Sequence, residues 1–249
     1  TIDPNVLDHF TVVDGTTGLD IGNQVAGAVN PFLIDITAED VYGNQLDSGP
    51  NLYTGSVDIG LSNGGTISVV TSGAFTAGLM NDLSVWITEA VTGVRIQVVD
   101  DGGTPGSGVY GVDESGQSNS FDVAADNAST FSIETAIAGT TQTAGVGFSV
   151  RIEAQDASGN IDPTYATAGV TLQDSDGTQN LTVSPATIDF TAGVWEGTVT
   201  VTEASPIDLE VADGVITADT AAGITIDPNV LDHFTVVDGT TGLDIGNQV

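Results

Sequence analysis

Carboxylates and carboxamides recur in this chain at spacings that could gather oxygen atoms around a hard cation. Asp40, Asn44 and Asp47 fall within one loop, and Asp156, Asn160 and Asp162 within another. A third group, Asp126, Asn127, Asp227, Asn229 and Asp232, falls in short segments that join longer regular ones. Calcium takes roughly six to eight such ligands and is the cation this set would hold. The same residues serve equally as turn formers. Asp and Asn accept hydrogen bonds from backbone two residues on, and Gly43 and Gly159 supply positive φ. On sequence alone both readings stand.

Other chemistries fall away. The chain has no Cys, hence no thiolate nucleophile, thiolate metal site or disulfide. His9 and His233 occupy one repeat position, which leaves no second His to complete a metal cluster. No G-x-S-x-G elbow occurs. The stretch 106–111 matches G-x-G-x-x-G, but no strand–turn–helix unit surrounds it, and it reads as a Gly-rich hairpin. Asp100 and Asp101 are adjacent, as glycoside chemistry would not require; in so acidic a chain that adjacency carries no information. No enzyme activity is expected.

Two cations, Arg95 and Arg151, stand against 34 acidic residues, for a formal charge of −32. A surface of that sign repels phosphate, so nucleic acid is excluded as a partner. It also calls for counter-ions, supplied by bound calcium or by a saline medium. No apolar run reaches the roughly 18 residues of a bilayer span. No signal-peptide pattern opens the chain; because the chain starts inside a repeat, such a leader is expected upstream.

The elements that must position the acidic groups follow from that repeat. Residues 1–25 and 225–249 are identical, an offset of 224, so the chain is one full period of an array and the opening of the next. Within the period, Phe32, Ile34, Ile36 and Ala38 alternate with Asp35 and Thr37, the period-two pattern of a strand with one buried face. Further strands are predicted at 10–13, 53–61, 66–70, 83–88, 93–99 and 119–123, separated by Gly, Asn, Asp and Pro, which is the pattern of an antiparallel β-sandwich. The programme then runs again. Phe131-Ser-Ile133 answers Phe10-Thr-Val12, and 148–154 answers 32–38; Phe-Thr-Ala-Gly occurs at 75–78 and 190–193, and Thr-Glu-Ala at 88–90 and 202–204. The first copy is longer, chiefly through a loop at 101–117. The boundaries predicted are 1–9 for the end of a preceding module and a linker, 10–126 and 127–229 for two modules, and 230–249 for the first strand of the next. Joints this short leave little freedom, so a stiff rod is expected. Trp86 and Trp195, near equivalent strands, are assigned to core or sheet face.

The turns Ala38-Glu-Asp-Val-Tyr-Gly-Asn44 and Ala154-Gln-Asp-Ala-Ser-Gly-Asn160, each reached from an alternating strand, resemble those of the bacterial immunoglobulin-like repeats of large cell-surface proteins and invasin-type adhesins. The resemblance covers both modules. It implies an all-β chain of two tandem immunoglobulin-like antiparallel sandwiches in an extended, extracellular array, with calcium at module joints in some relatives. Lys–Asn isopeptide crosslinks, used by others, cannot form here because there is no Lys.

The function expected is that of a structural repeat in a long extracellular or cell-surface stalk, sheath or filament, a stiff spacer whose partners are identical or homologous modules head to tail. The alternative is an adhesin module that binds glycan or protein through the 101–117 loop, favoured by an exposed Tyr110 and opposed by a buried one. The duplicated terminal segment raises one more possibility, that Phe10 and Val12, or their copies Phe234 and Val236, form an assembly strand added to the sheet of a neighbouring chain.

Overall fold

The computed structural model describes residues 2–176, 181–232 and 236–237, and its regular structure is β apart from one 3-10 turn at Gly49–Asn51. The N-terminal half contains β1 (His9–Asp14), β2 (Gln24–Val25), β3 (Phe32–Glu39), β4 (Val57–Leu61), β5 (Leu79–Val85), β6 (Val91–Val94), β7 (Ile96–Asp100), β8 (Ser115–Gln117) and β9 (Phe121–Ala124). The C-terminal half contains β10 (Thr130–Ile133), β11 (Thr141–Thr143), β12 (Phe148–Gln155), β13 (Val170–Asp174), β14 (Val183–Ser184), β15 (Thr187–Ile188), β16 (Val194–Val201), β17 (Ile207–Ala212) and β18 (Asp219–Asp227).

Alternation places the apolar residues of both layers inward. In the C-terminal half the sheets β10-β12-β16-β14 and β11-β18-β17-β13-β15 enclose Phe131, Ile152, Leu172, Leu209 and Ile224. In the N-terminal half β2-β9-β6 and the sheet β4-β7-β8-β1-β3-β5 enclose Phe10, Ile34, Ile36, Ile59 and Val98. The two buried clusters share no residue. The all-β sandwich holds, with three short pairings parallel rather than antiparallel: β1 with β8, β2 with β9 and β11 with β18.

Two predicted strands are corrected. The run 93–99 is not one strand: β6 pairs with β9 while β7 pairs with β8 and β4. The break falls at Arg95, whose N–H donates to Ser62 Oγ and whose Nη1 donates to the Ser118 carbonyl. Alternation continues through it because side-chain period does not report which partner a strand takes. The run 66–70 is not a strand either. Ile67 bridges to Ile87 and Thr71 to Asp58, so this segment crosses between elements.

The loop expected at 101–117 is a built part of the sheet. Fifteen residues, 101–115, separate Asp100 from Gly116, where five, 214–218, separate Asp213 from Asp219 at the same register. Its last residues form β8, inserted between β7 and β1. Asp58 holds the rest by accepting the N–H groups of Gly106 and Gly108 at 2.8 and 2.9 Å.

Candidate assembly joint

The turn at 155–161 brings the predicted residues together, and its chemistry follows from Asp156. Buried to 2 % exposure, Asp156 accepts N–H from Ser158 and Asn160 on Oδ1, at 2.8 and 3.0 Å. Its backbone N–H closes the turn on the Asn160 carbonyl, and Gly159 takes the positive φ. This is the turn-forming reading of Asp-x-x-Gly-Asn. Oδ2 then accepts the Asp126 N–H, from the segment joining the halves, at 3.1 Å. Asp162 does the same for Ala128, at 2.9 Å.

Asn160 completes the joint. Its Nδ2 donates to the Thr88 carbonyl at 2.7 Å and its Oδ1 accepts the Ala90 N–H at 2.9 Å. One side chain of the C-terminal half thus pairs with both a carbonyl and an N–H of the N-terminal half. That pairing fixes which end of the carboxamide is nitrogen, since the reverse would set donor against donor and acceptor against acceptor. From the other side Asn30 donates to Asp126 Oδ2 and to the Ala26 carbonyl. A shallow apolar groove of Ala90, Val91, Val123, Ala125, Ile161 and Pro163 runs alongside.

The turn at 39–45 repeats this geometry. Asp40, 1 % exposed, accepts N–H from Tyr42, Asn44 and Asn5, and the Asn44 Nδ2 lies on both its oxygens. Asn5 precedes Phe10 by the same five residues that separate Asp126 from Phe131. Burial would raise the Asp40 pKa, but the Asn44 side chain and the N–H groups of Asn5, Asn44 and Tyr42 outweigh it and hold the carboxyl well below the usual range. Asp162 is likewise lowered: burial opposes, and the Thr164 hydroxyl and the Ala128 and Thr164 N–H groups prevail.

The remaining predicted ligands do not converge. Asp47 is exposed and accepts Ser48 Oγ; the register position of Asp162 is held by Leu46, whose N–H binds the Ala38 carbonyl as that of Asp162 binds Ala154. Asp47 thus lies one residue beyond the position that corresponds to Asp162. Asn127 is exposed, Asp227 ends β18, and Asn229 and Asp232 are exposed. Among the described residues no three His, Asp or Glu side chains are grouped to hold a metal. Phe10 and Val12, candidates for strand exchange, are buried in their own half at 2 and 4 % exposure, paired with Ala38 and Ile36. Val236 is 70 % exposed, and Phe234 lies outside the described residues. Trp195 sits near the start of β16 and Trp86 just beyond the end of β5, both half-buried: one strand of the pattern, opposite ends.

One repeated pair escaped the sequence reading. Tyr53 donates to Asp100 at 2.8 Å and Tyr165 to Asp213 at 2.7 Å. Each Tyr packs edge-on against two Phe rings, Phe10 and Phe75 in one half and Phe131 and Phe190 in the other. The pattern was present as an Asp two residues after Val98 and after Val211, but Asp100 vanished among its acidic neighbours. Burial, and then the Asp213 carboxylate, push the Tyr165 hydroxyl up to about 12. A raised pKa in the folded state gives stability that is whole below the free phenol value of about 10 and is lost as pH rises towards 12. Alkaline titration is thus expected to lower stability through that window, and Tyr165→Phe to flatten that part of the pH–stability curve.

No protein-family model matches the sequence, and no curated protein matches it. Among solved structures, the Escherichia coli adhesin FdeC is similar at 18 % identity over 92 % of this chain and 68 % of that one, with a TM-score of 0.33. Domains 4 and 5 of the S-layer protein SbsC are similar at 15 % over 82 % and 93 %, with 0.30. Invasin, a bacterial integrin-binding protein, is similar at 16 % over 88 % and 39 %, with 0.33.

Proposed function

We propose that this chain is a structural repeat of a long extracellular or cell-surface stalk, sheath or filament, composed of two immunoglobulin-like modules, 10–126 and 127–229, set in fixed alignment. The observation that carries the reading is the clasp of Asn160 on Thr88 and Ala90. A flexible linker needs no side chain to read the backbone of the preceding module; a spacer whose property is length and stiffness does. The identical 25-residue segments 224 positions apart extend the same logic along an array.

Calcium at the joint is the competing way to stiffen it. Asp40, Asp156 and Asp162 already accept N–H donors on both oxygens. Chelator at constant ionic strength is therefore expected to leave both the thermal midpoint and the maximum dimension from small-angle scattering unchanged. A shorter or broader distance distribution without calcium would return a cation to the joint and weaken this account.

The adhesin reading through 101–117 keeps one specific support. Tyr110 is 41 % exposed, between Val109 at 52 % and Val112 at 79 %, on a loop anchored by Asp58 and by the buried Asp101. Such an apolar tip on a fixed base suits a glycan or protein surface.

A further inference from the structure

The two ends of the period carry the two faces of a second joint, and these faces differ from the inner one in a matched way. At the inner joint, small residues meet: a Cβ added to Gly27 would lie 3.7 Å from Ser158 Oγ. The counterparts of Ala157 and Ser158 in the N-terminal turn are Val41 and Tyr42, 57 and 80 % exposed. The counterpart of Gly27 is Gly145, since their N–H groups bind the Ile87 and Val201 carbonyls at equal lengths of 2.8 Å. Next to it, where Ala28 follows Gly27, stands Val146, 50 % exposed. The larger side chains of one face thus correspond to a larger side chain on the other.

The polar clasp has the same symmetry. Thr202-Glu-Ala204 repeats Thr88-Glu-Ala90, and Thr202 and Ala204 are exposed. Asn44 is exposed where Asn160 is half-buried, and among the described residues nothing donates to its Oδ1.

We infer that the occupant of the N-terminal face is the C-terminal half of a second copy of this chain, joined through the shared 25 residues. In that joint Asn44 takes the Thr202 carbonyl and the Ala204 N–H, and Val41 and Tyr42 cover Gly145 and Val146. The inference rests on the spacer reading and adds the surface through which successive periods lock. Among the described residues the Thr202 carbonyl and the Ala204 N–H have no hydrogen-bond partner; in the joint they meet a carboxamide, and exposed apolar groups leave water.

The absence of Cys makes the test clean. In a chain of two periods fused through the shared segment, Ala204→Cys in the first period and Asn44→Cys in the second place two thiols at the new joint. Ala90→Cys with Asn160→Cys, in a separate chain, places them at the inner one, and Val215→Cys with Asn44→Cys is an off-face pair. Oxidation followed by mass mapping is expected to close the new joint at a rate within about tenfold of the inner pair and at least about tenfold faster than the off-face pair, with Tyr42→Asp slowing the new joint alone. Closure of the new pair no faster than the off-face pair, while the inner pair closes, overturns this inference and leaves the spacer reading intact. Failure of the inner pair as well removes both.

Discussion

Asp156→Ala is expected to lower stability by about 3 kcal/mol and to release the two halves from their fixed alignment. The carboxylate is 2 % exposed and serves two N–H donors of its own turn and one, from Asp126, that crosses the joint. Truncation leaves those donors buried without an acceptor, at about 1–3 kcal/mol for each that water cannot reach. Asp156→Asn is expected to fail almost as badly. Whichever way its carboxamide turns, one NH2 meets donors, either those of Ser158 and Asn160 or those of Asp126 and the Asn160 side chain. Asn160→Ala separates the two effects. It keeps the turn, which the backbone closes, and removes the clasp on Thr88 and Ala90 together with the Nδ2 contacts on Asp156, which keeps its three backbone N–H donors, so a smaller loss of stability than in Asp156→Ala with a clear loss of alignment is expected. Denaturant unfolding followed by Trp fluorescence reads each half separately in backgrounds carrying Trp195→Phe or Trp86→Phe, because Trp86 lies in one half and Trp195 in the other. Residual dipolar couplings read the alignment; unchanged couplings in Asn160→Ala would show that the clasp does not set it.

Gly193→Ala is the second large effect. Gly193 sits at φ 77°, and a Cβ there would run into the backbone carbonyl of Asp162 and the Ile161 side chain. The Gly193 N–H binds the Tyr165 carbonyl and its own carbonyl binds the Ala154 N–H, so the residue cannot move without the loop that carries Asp162. The left-handed conformation alone costs a side chain about 1–2 kcal/mol, and forced displacement of packed backbone adds about 1–3 kcal/mol. Gly169→Ala supplies the control: its φ is 72°, but open space surrounds its Cβ. The difference between the two variants in the denaturation midpoint isolates the clash. Because Asp162 holds the N–H of Ala128, at the start of the C-terminal half next to the joining segment, Gly193→Ala is expected to disturb alignment, whereas Gly169→Ala is not.

Much of the joint was legible residue by residue and illegible as a joint. Asp156, Gly159 and Asn160 declare a turn, because an Asp side chain bonds backbone two and four residues on and Gly tolerates positive φ. Their competing reading as calcium ligands could not be set aside by spacing, since the same oxygens suit either role. What distinguishes the roles is which N–H groups arrive, and those of Asp126 and Asn5 come from 30 and 35 residues away. Val94, Ile96 and Val98 correctly announced a buried face but not the break at Arg95 between β6 and β7.

The sequence alone determined the all-β character, the duplicated programme and the identity of residues 1–25 with 225–249 at an offset of 224, because alternation, turn chemistry and repetition are local or self-referential properties of the letters. Tertiary structure alone decided that Asn160 reaches Thr88 and Ala90, 72 and 70 residues distant, and that Tyr165 meets Asp213, 48 residues on. A turn residue that satisfies its own backbone and one that clasps a neighbour have the same local energetics. Only the packing that brings a free carbonyl and N–H beside the carboxamide tells them apart.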